Sequence, residues 1–160
     1  MYKLLLCIVI SLLLGGCSQQ PSYEFMVSNF KDNRATFSMI AAVACEIGHN
    51  EAADEYTIQP DTPTSQALID LADTVSVDEI TYYEEKGKCT LAMPVFEHAD
   101  DKVHEQFAYR YNVAEPVAYQ PAQHTYEHAL ETVKKGNQQQ VSFDMTLTPR
   151  WFFSFFYQQA

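Results

Sequence analysis

His124, Glu127 and His128, in the string HTYEH, have the spacing closest to a catalytic arrangement. On a helix the two imidazoles fall one turn apart on the same face. There they could grip one zinc ion, with Glu127 beside a metal-bound water as general base. A further ligand is needed, and after Glu131 the chain carries no glutamate and, among acids, only Asp144. A solvated helix face that happens to carry two histidines is the plainer expectation. A second cluster, EHADDKVHE, gathers Glu97, His98, Asp100, Asp101, His104 and Glu105. Carboxylates and imidazoles this dense suit a divalent cation, but the glycine and closing glutamate of a calcium loop are missing, so a charged hairpin loop is expected. The third constellation is the string WFFSFFY. Trp151, Phe153, Phe155 and Tyr157 share one strand face, and Phe152 and Phe156 share the other. A strand apolar on both faces is normally central and covered on both sides; an edge strand offering its rings to a partner is the alternative. Tyr82, Tyr83, Tyr109, Tyr111 and Tyr119 either line a groove on a sheet's second face or simply suit half-buried strands. Nothing in the sequence groups a serine nucleophile with a base, and no phosphate-binding glycine loop is present.

HTYEH is similar to the H-x-x-E-H signature of inverted zinc peptidases. The resemblance covers five residues and implies His124 and His128 as ligands and Glu127 as base; apart from it, a metal-binding protein or metal-dependent hydrolase would draw a further ligand from His98 or His104. It departs from that family in lacking the downstream glutamate ligand, and those enzymes are built on far larger domains.

A different motif stands at the other end of the chain. Lys3 precedes an apolar run from Leu4 to Leu14, interrupted by Ser11, and small residues follow. These are the parts of a secretory signal. The run is shorter than the roughly 20 apolar residues that span a bilayer. Leu14, Gly15, Gly16 and Cys17 resemble the lipobox of bacterial lipoproteins. That resemblance implies removal of residues 1–16, acylation of Cys17 and a membrane anchor of two or three fatty chains, each methylene contributing about 0.8 kcal/mol. Gly15 departs mildly from the family pattern. Ser18 follows the cysteine where an aspartate would favour inner-membrane retention, so the resemblance implies the periplasmic face of the outer membrane. An ordinary secretory signal with an incidental cysteine is the alternative.

The formal net charge is −11 over 160 residues. Such acidity argues against nucleic acid, whose phosphates need a basic face, and against lying flat on anionic lipid. A basic protein partner or a cationic ligand is compatible with it, as is an acidic surface that only keeps the domain soluble. Of the four cysteines, Cys7 leaves with the signal and Cys17 takes the lipid. In an oxidising compartment Cys45 and Cys89 are expected to pair; two buried free thiols are the alternative. No CxxC is present, so redox catalysis has no support.

The elements that must position these residues follow from periodicity. Residues 17–28 read as a lipidated polar tether, and residues 29–160 as one domain. Phe37, Ile40, Ala41, Ala44 and Cys45 form a helical stripe that Met39, Val43 and Ile47 broaden. Asp32 or Asn33 would cap this helix and Gly48 would end it. Residues 50–64 read as a loop. Thr62 and Pro63 open a second helix, whose apolar face is Leu68, Leu71, Ala72 and Val75. From Asp78 the period changes to two, with strands joined through Lys86-Gly87 and an inward set of Cys89, Leu91, Met93 and Val95. Phe107, Tyr109, Tyr111 and Val113 continue the pattern. AQHTYEHALETVKKG reads as a third helix, and QVSFDMTLT and WFFSFFYQ as final strands. Helices early and hairpins late indicate α+β: an antiparallel sheet of about five strands with two or three helices mainly on one face. The expected function is a non-catalytic, outer-membrane-anchored binding or interaction protein that needs no cofactor. A structural envelope lipoprotein and a metal-binding protein or metal-dependent hydrolase are the alternatives.

Overall fold

The computed structural model describes residues 20–51 and 53–159. The signal, Cys7, the lipobox and Cys17 lie outside the described residues. The elements run α1 (Tyr23–Asp32), α2 (Arg34–Asn50), β1 (Glu55–Thr57), α3 (Pro63–Asp73), β2 (Thr81–Glu85), β3 (Lys88–Ala99), β4 (Val103–Tyr111), α4 (Tyr126–Lys134), β5 (Gln140–Thr148) and β6 (Trp151–Gln159). They form an α+β domain around one antiparallel sheet with strand order β1-β2-β3-β4-β6-β5. Among the described residues the sheet has six strands and the helices number four. None of these helices is long and apolar enough to cross a membrane.

The two additional elements are short or polar. Residues 23–28, expected in the tether, belong to α1. Ser22 accepts a hydrogen bond from the Phe25 amide, Glu24 stands in the first turn and Lys31 in the last; each favours a helix. Met26 and Phe30, one turn apart, are its buried residues, and so few hide the pattern in a polar segment. Strand β1 lies in the stretch expected to be a loop and pairs with β2 through three residues.

One face of the sheet carries the core. Leu91 and Met93 of β3, Phe107 and Tyr109 of β4, and Phe153 and Phe155 of β6 are all essentially inaccessible. Helix α2 packs on β2 and β3, α4 on β5 and β6, and α3 against α2. Helix α1 meets β4 and β6 through Phe30, whose ring touches Tyr109 and Trp151. The Tyr109 hydroxyl donates to the Met26 carbonyl at 2.8 Å and accepts from the Asn29 amide at 3.2 Å. This satisfies a buried phenol inside an aromatic core.

Several local expectations are corrected. Gly48 does not end α2, which runs on to Asn50. Instead a Cβ built at Gly48 would overlap the Tyr82 ring, so glycine is needed for close approach of helix to sheet. Met39 does not join the buried stripe and is exposed. Lys86 and Gly87 form the expected hairpin turn, both with positive φ, as a tight two-residue turn requires.

Candidate functional site

Cys45 and Cys89 bring the end of α2 against the start of β3. Their Cα atoms are 5.6 Å apart and their sulfurs lie at disulfide distance. Helix α4 begins only at Tyr126, so it does not carry His124 and His128 on one face. Thr125 is the N-cap, and its hydroxyl accepts from the His128 amide at 3.3 Å. His124 precedes the cap. Its ring stacks on Phe143 with centroids 4.8 Å apart and 9° between planes, and its Nδ1 accepts from the Gln120 amide. Burial, and then the neighbouring His128, lower the His124 pKa. Glu127 lies in the first turn of α4, where a carboxylate favours the helix dipole.

The acidic and imidazole cluster of residues 97–105 is divided between the two faces of the β3–β4 hairpin. A β-bulge between Pro94 and Phe96 resets the register, and such an insertion re-aims every later side chain. Beyond it, Glu97 bonds His104 at 3.0 Å and Gln106 at 3.2 Å. His98 pairs with Asp100 at 3.3 Å. Glu105 is buried on the helix side. Among the described residues, no group of three or more such side chains could hold a metal ion.

The sheet's second face is a concave surface of about 480 Å³ with Tyr83, His104, Gln106, Arg110, Ser154 and Phe156 on its floor and walls. Strand alternation puts these residues there, because each lies one position out of step with the core set. His104 rests against Phe156, with centroids 5.0 Å apart. The segment 112–121 rims the groove. Asp144 secures it to the sheet. Its carboxylate accepts from the Ser154 hydroxyl and, at 2.8 Å, from the Val117 amide, and its own amide donates to the Val117 carbonyl. Lys86 reaches Glu115 on the same segment at 3.0 Å. Of the five tyrosines, only Tyr83 lines this groove, so the set fits the other expectation, that tyrosine suits partly or fully buried strand positions. Tyr82 and Tyr109 belong to the core, Tyr111 packs on Trp151, and Tyr119 on Phe143. The aromatic strand β6 lies between β4 and β5, with Phe152 buried and Phe156 half-buried on the second face.

A second concavity, of about 440 Å³, opens where α1 and α4 begin. Tyr23, Phe107, Tyr119, Tyr126, Gln20 and Glu127 line it. Tyr23 stands edge-on to Phe153, with centroids 5.1 Å apart, and to Tyr126 at 6.3 Å. Its hydroxyl is fully buried and has no hydrogen-bond partner among the described residues. The Gln20 amide donates to Glu105 at 3.1 Å, and its carbonyl accepts from the Tyr126 hydroxyl at 3.2 Å. Burial raises the pKa of Glu105 and of Tyr126, and burial with neighbouring tyrosines raises that of Tyr23. Sequence reasoning missed this pocket because Tyr23 and Gln20 fell in the segment read as tether. The signal present was a capping serine followed by Tyr23, Met26 and Phe30 at helical spacing. Comparison with protein-family models, with curated proteins and with solved structures returned no match.

Proposed function

We propose that the protein is a lipid-anchored, non-catalytic binding protein of the cell envelope. In this reading Cys17 holds the domain to the periplasmic face of the outer membrane, and the second face of the sheet docks a basic protein partner. The observation that carries it is the concave second face, a surface of about 480 Å³ on the side away from the helices. Its floor mixes hydrogen-bonding groups with the half-buried Phe156 ring, and Glu85 and Glu115 stand at its margin. Protein interfaces combine such groups, an aromatic anchor within a polar rim. A net charge of −11 favours encounter with a basic surface.

In-cell crosslinking of the tagged protein, followed by mass spectrometry, tests the reading. One dominant basic partner supports it, whereas a scatter of abundant envelope proteins favours a structural lipoprotein. Labelling with a fatty-acid analogue tests the anchor separately. Label lost in Cys17→Ala supports it; an unlabelled parent, or a Cys17→Ala protein still on the membrane, contradicts it.

A further inference from the structure

The net charge is not spread over the domain. Residues 35–85 hold eleven of the 21 acidic residues and no lysine or arginine, so the other ten acids and the ten bases balance. This stretch supplies nearly all of α2 and the whole of β1, α3 and β2. Among the described residues none of the eleven acids takes part in an ion pair, although four pairs form elsewhere. Like charges this dense repel one another and weigh against the compact state.

The same stretch leaves an apolar groove open between α2 and α3, with a volume of about 360 Å³. Met39 and Val43 form one wall, and Pro63, Ala67 and Leu71 the other. Each set repeats at every fourth position, so each is a ridge along its helix. Met39, Pro63 and Ala67 are exposed, Val43 and Leu71 are half-buried, and Leu68 closes the base. Glu46 and Asp70, three positions beyond Val43 and Ala67, are exposed beside these ridges. A third helix can seat its own ridge in such a trough, and a flexible methionine at the wall adapts to it. A second copy of the chain would set acid against acid in a symmetric contact, and an anionic bilayer would meet the same repulsion.

We infer that the α2–α3 groove docks a basic amphipathic helix of another protein, its apolar stripe against Met39, Val43, Ala67 and Leu71 and its lysines or arginines against Glu46 and Asp70. The site lies on the helix side of the sheet, apart from the groove on the second face and independent of the anchor.

The test is fluorescence anisotropy of a labelled Leu/Lys peptide of roughly 15 residues, long enough to form a helix on binding. Its leucines repeat at i, i+3, i+4 and i+7, with lysines on the opposite face. The purified full chain is used, in nanodiscs of zwitterionic lipid with empty discs as blank if it carries acyl groups, and in buffer if it does not. Saturable binding with a dissociation constant on the order of 1–10 μM is expected. A scrambled peptide of the same composition keeps the charge and loses the stripe, and should bind about tenfold more weakly. A Leu/Glu peptide with the same stripe should bind at least about tenfold more weakly. Ala67→Arg, at an exposed helix position that suits arginine, leaves the fold intact and fills the groove with a cation; it should weaken binding about tenfold. Asp70→Asn should weaken it about threefold. Absence of saturable binding above the blank overturns the proposal. So does equal affinity for the scrambled peptide, or an Ala67→Arg variant with unchanged affinity.

Discussion

The two faces of the sheet are built from the same strands and differ in almost every physical respect. On β6, Phe153 and Phe155 point to the helices and are essentially inaccessible, while Ser154 between them points the other way and bonds Asp144. On β4, Phe107 and Tyr109 enter the core, while Gln106 and Arg110 stand in the groove. The helix side is held by ring packing, which tolerates little change in volume. The groove side is held by a few hydrogen bonds, from Asp144 to the crossing segment and from Glu97 to His104 and Gln106. Stability should therefore concentrate on one face, leaving the other free to vary its chemistry.

Matched substitutions break or sharpen this contrast. Phe153→Ala should destabilise by about 3–5 kcal/mol, the range for emptying a large buried ring site. Gln106→Ala, on the opposite face of the neighbouring strand, should stay within about 0.5 kcal/mol. Urea unfolding midpoints of both variants measure the difference; comparable losses would erase the contrast. The next effect in size belongs to Cys45 and Cys89, 44 residues apart in sequence. If they are bridged, reduction should cost about 4 kcal/mol by chain entropy, and thiol titration of the unfolded, unreduced protein should find neither thiol free. Gly48→Ala should then cost about 1–3 kcal/mol, because the new methyl must displace the Tyr82 ring.

The smallest effect is a pH dependence. Burial holds the Glu105 pKa above its ordinary 4.5, with Tyr126, His98 and Lys134 each pulling it down less strongly. The folded state therefore binds that proton more tightly than the unfolded chain. The stability this contributes is full below pH 4.5 and is lost as pH rises through the raised folded value. Glu105→Gln lacks that loss, so its stability relative to the parent should rise as the pH rises above 4.5. Urea midpoints across that range give the answer, and parallel curves for the two proteins would contradict the assignment.

Much of this division was legible in the residues. Period-two alternation put Phe107 and Tyr109 on one side of their strand and Phe153 and Phe155 on one side of theirs, and Thr62-Pro63 and Lys86-Gly87 marked a helix start and a hairpin. Elements of few buried residues were not legible. Helix α1 buries little beyond Met26 and Phe30, and β1 is three residues long. The bulge after Pro94 was equally hidden, because one inserted residue leaves no compositional trace yet moves Glu97 off the face of Glu105 and opposite Gln106, on the face of His104. The pocket combines three residues from before α1 with residues of β4 and from the starts of α1 and α4, and such distant segments meet only once the sheet has formed. His124 misled for a related reason: the helical pattern runs through it, but Thr125 caps the helix one residue later.

Site-specific photocrosslinking in cells tests the central claim most directly. A photoreactive residue replaces Gln106 in the groove, or Glu131 on the solvent side of α4, in otherwise identical proteins. Capture of one discrete basic protein from position 106 and not from position 131 is the outcome expected if the groove is the docking face. The same diffuse set of envelope proteins from both positions would contradict it.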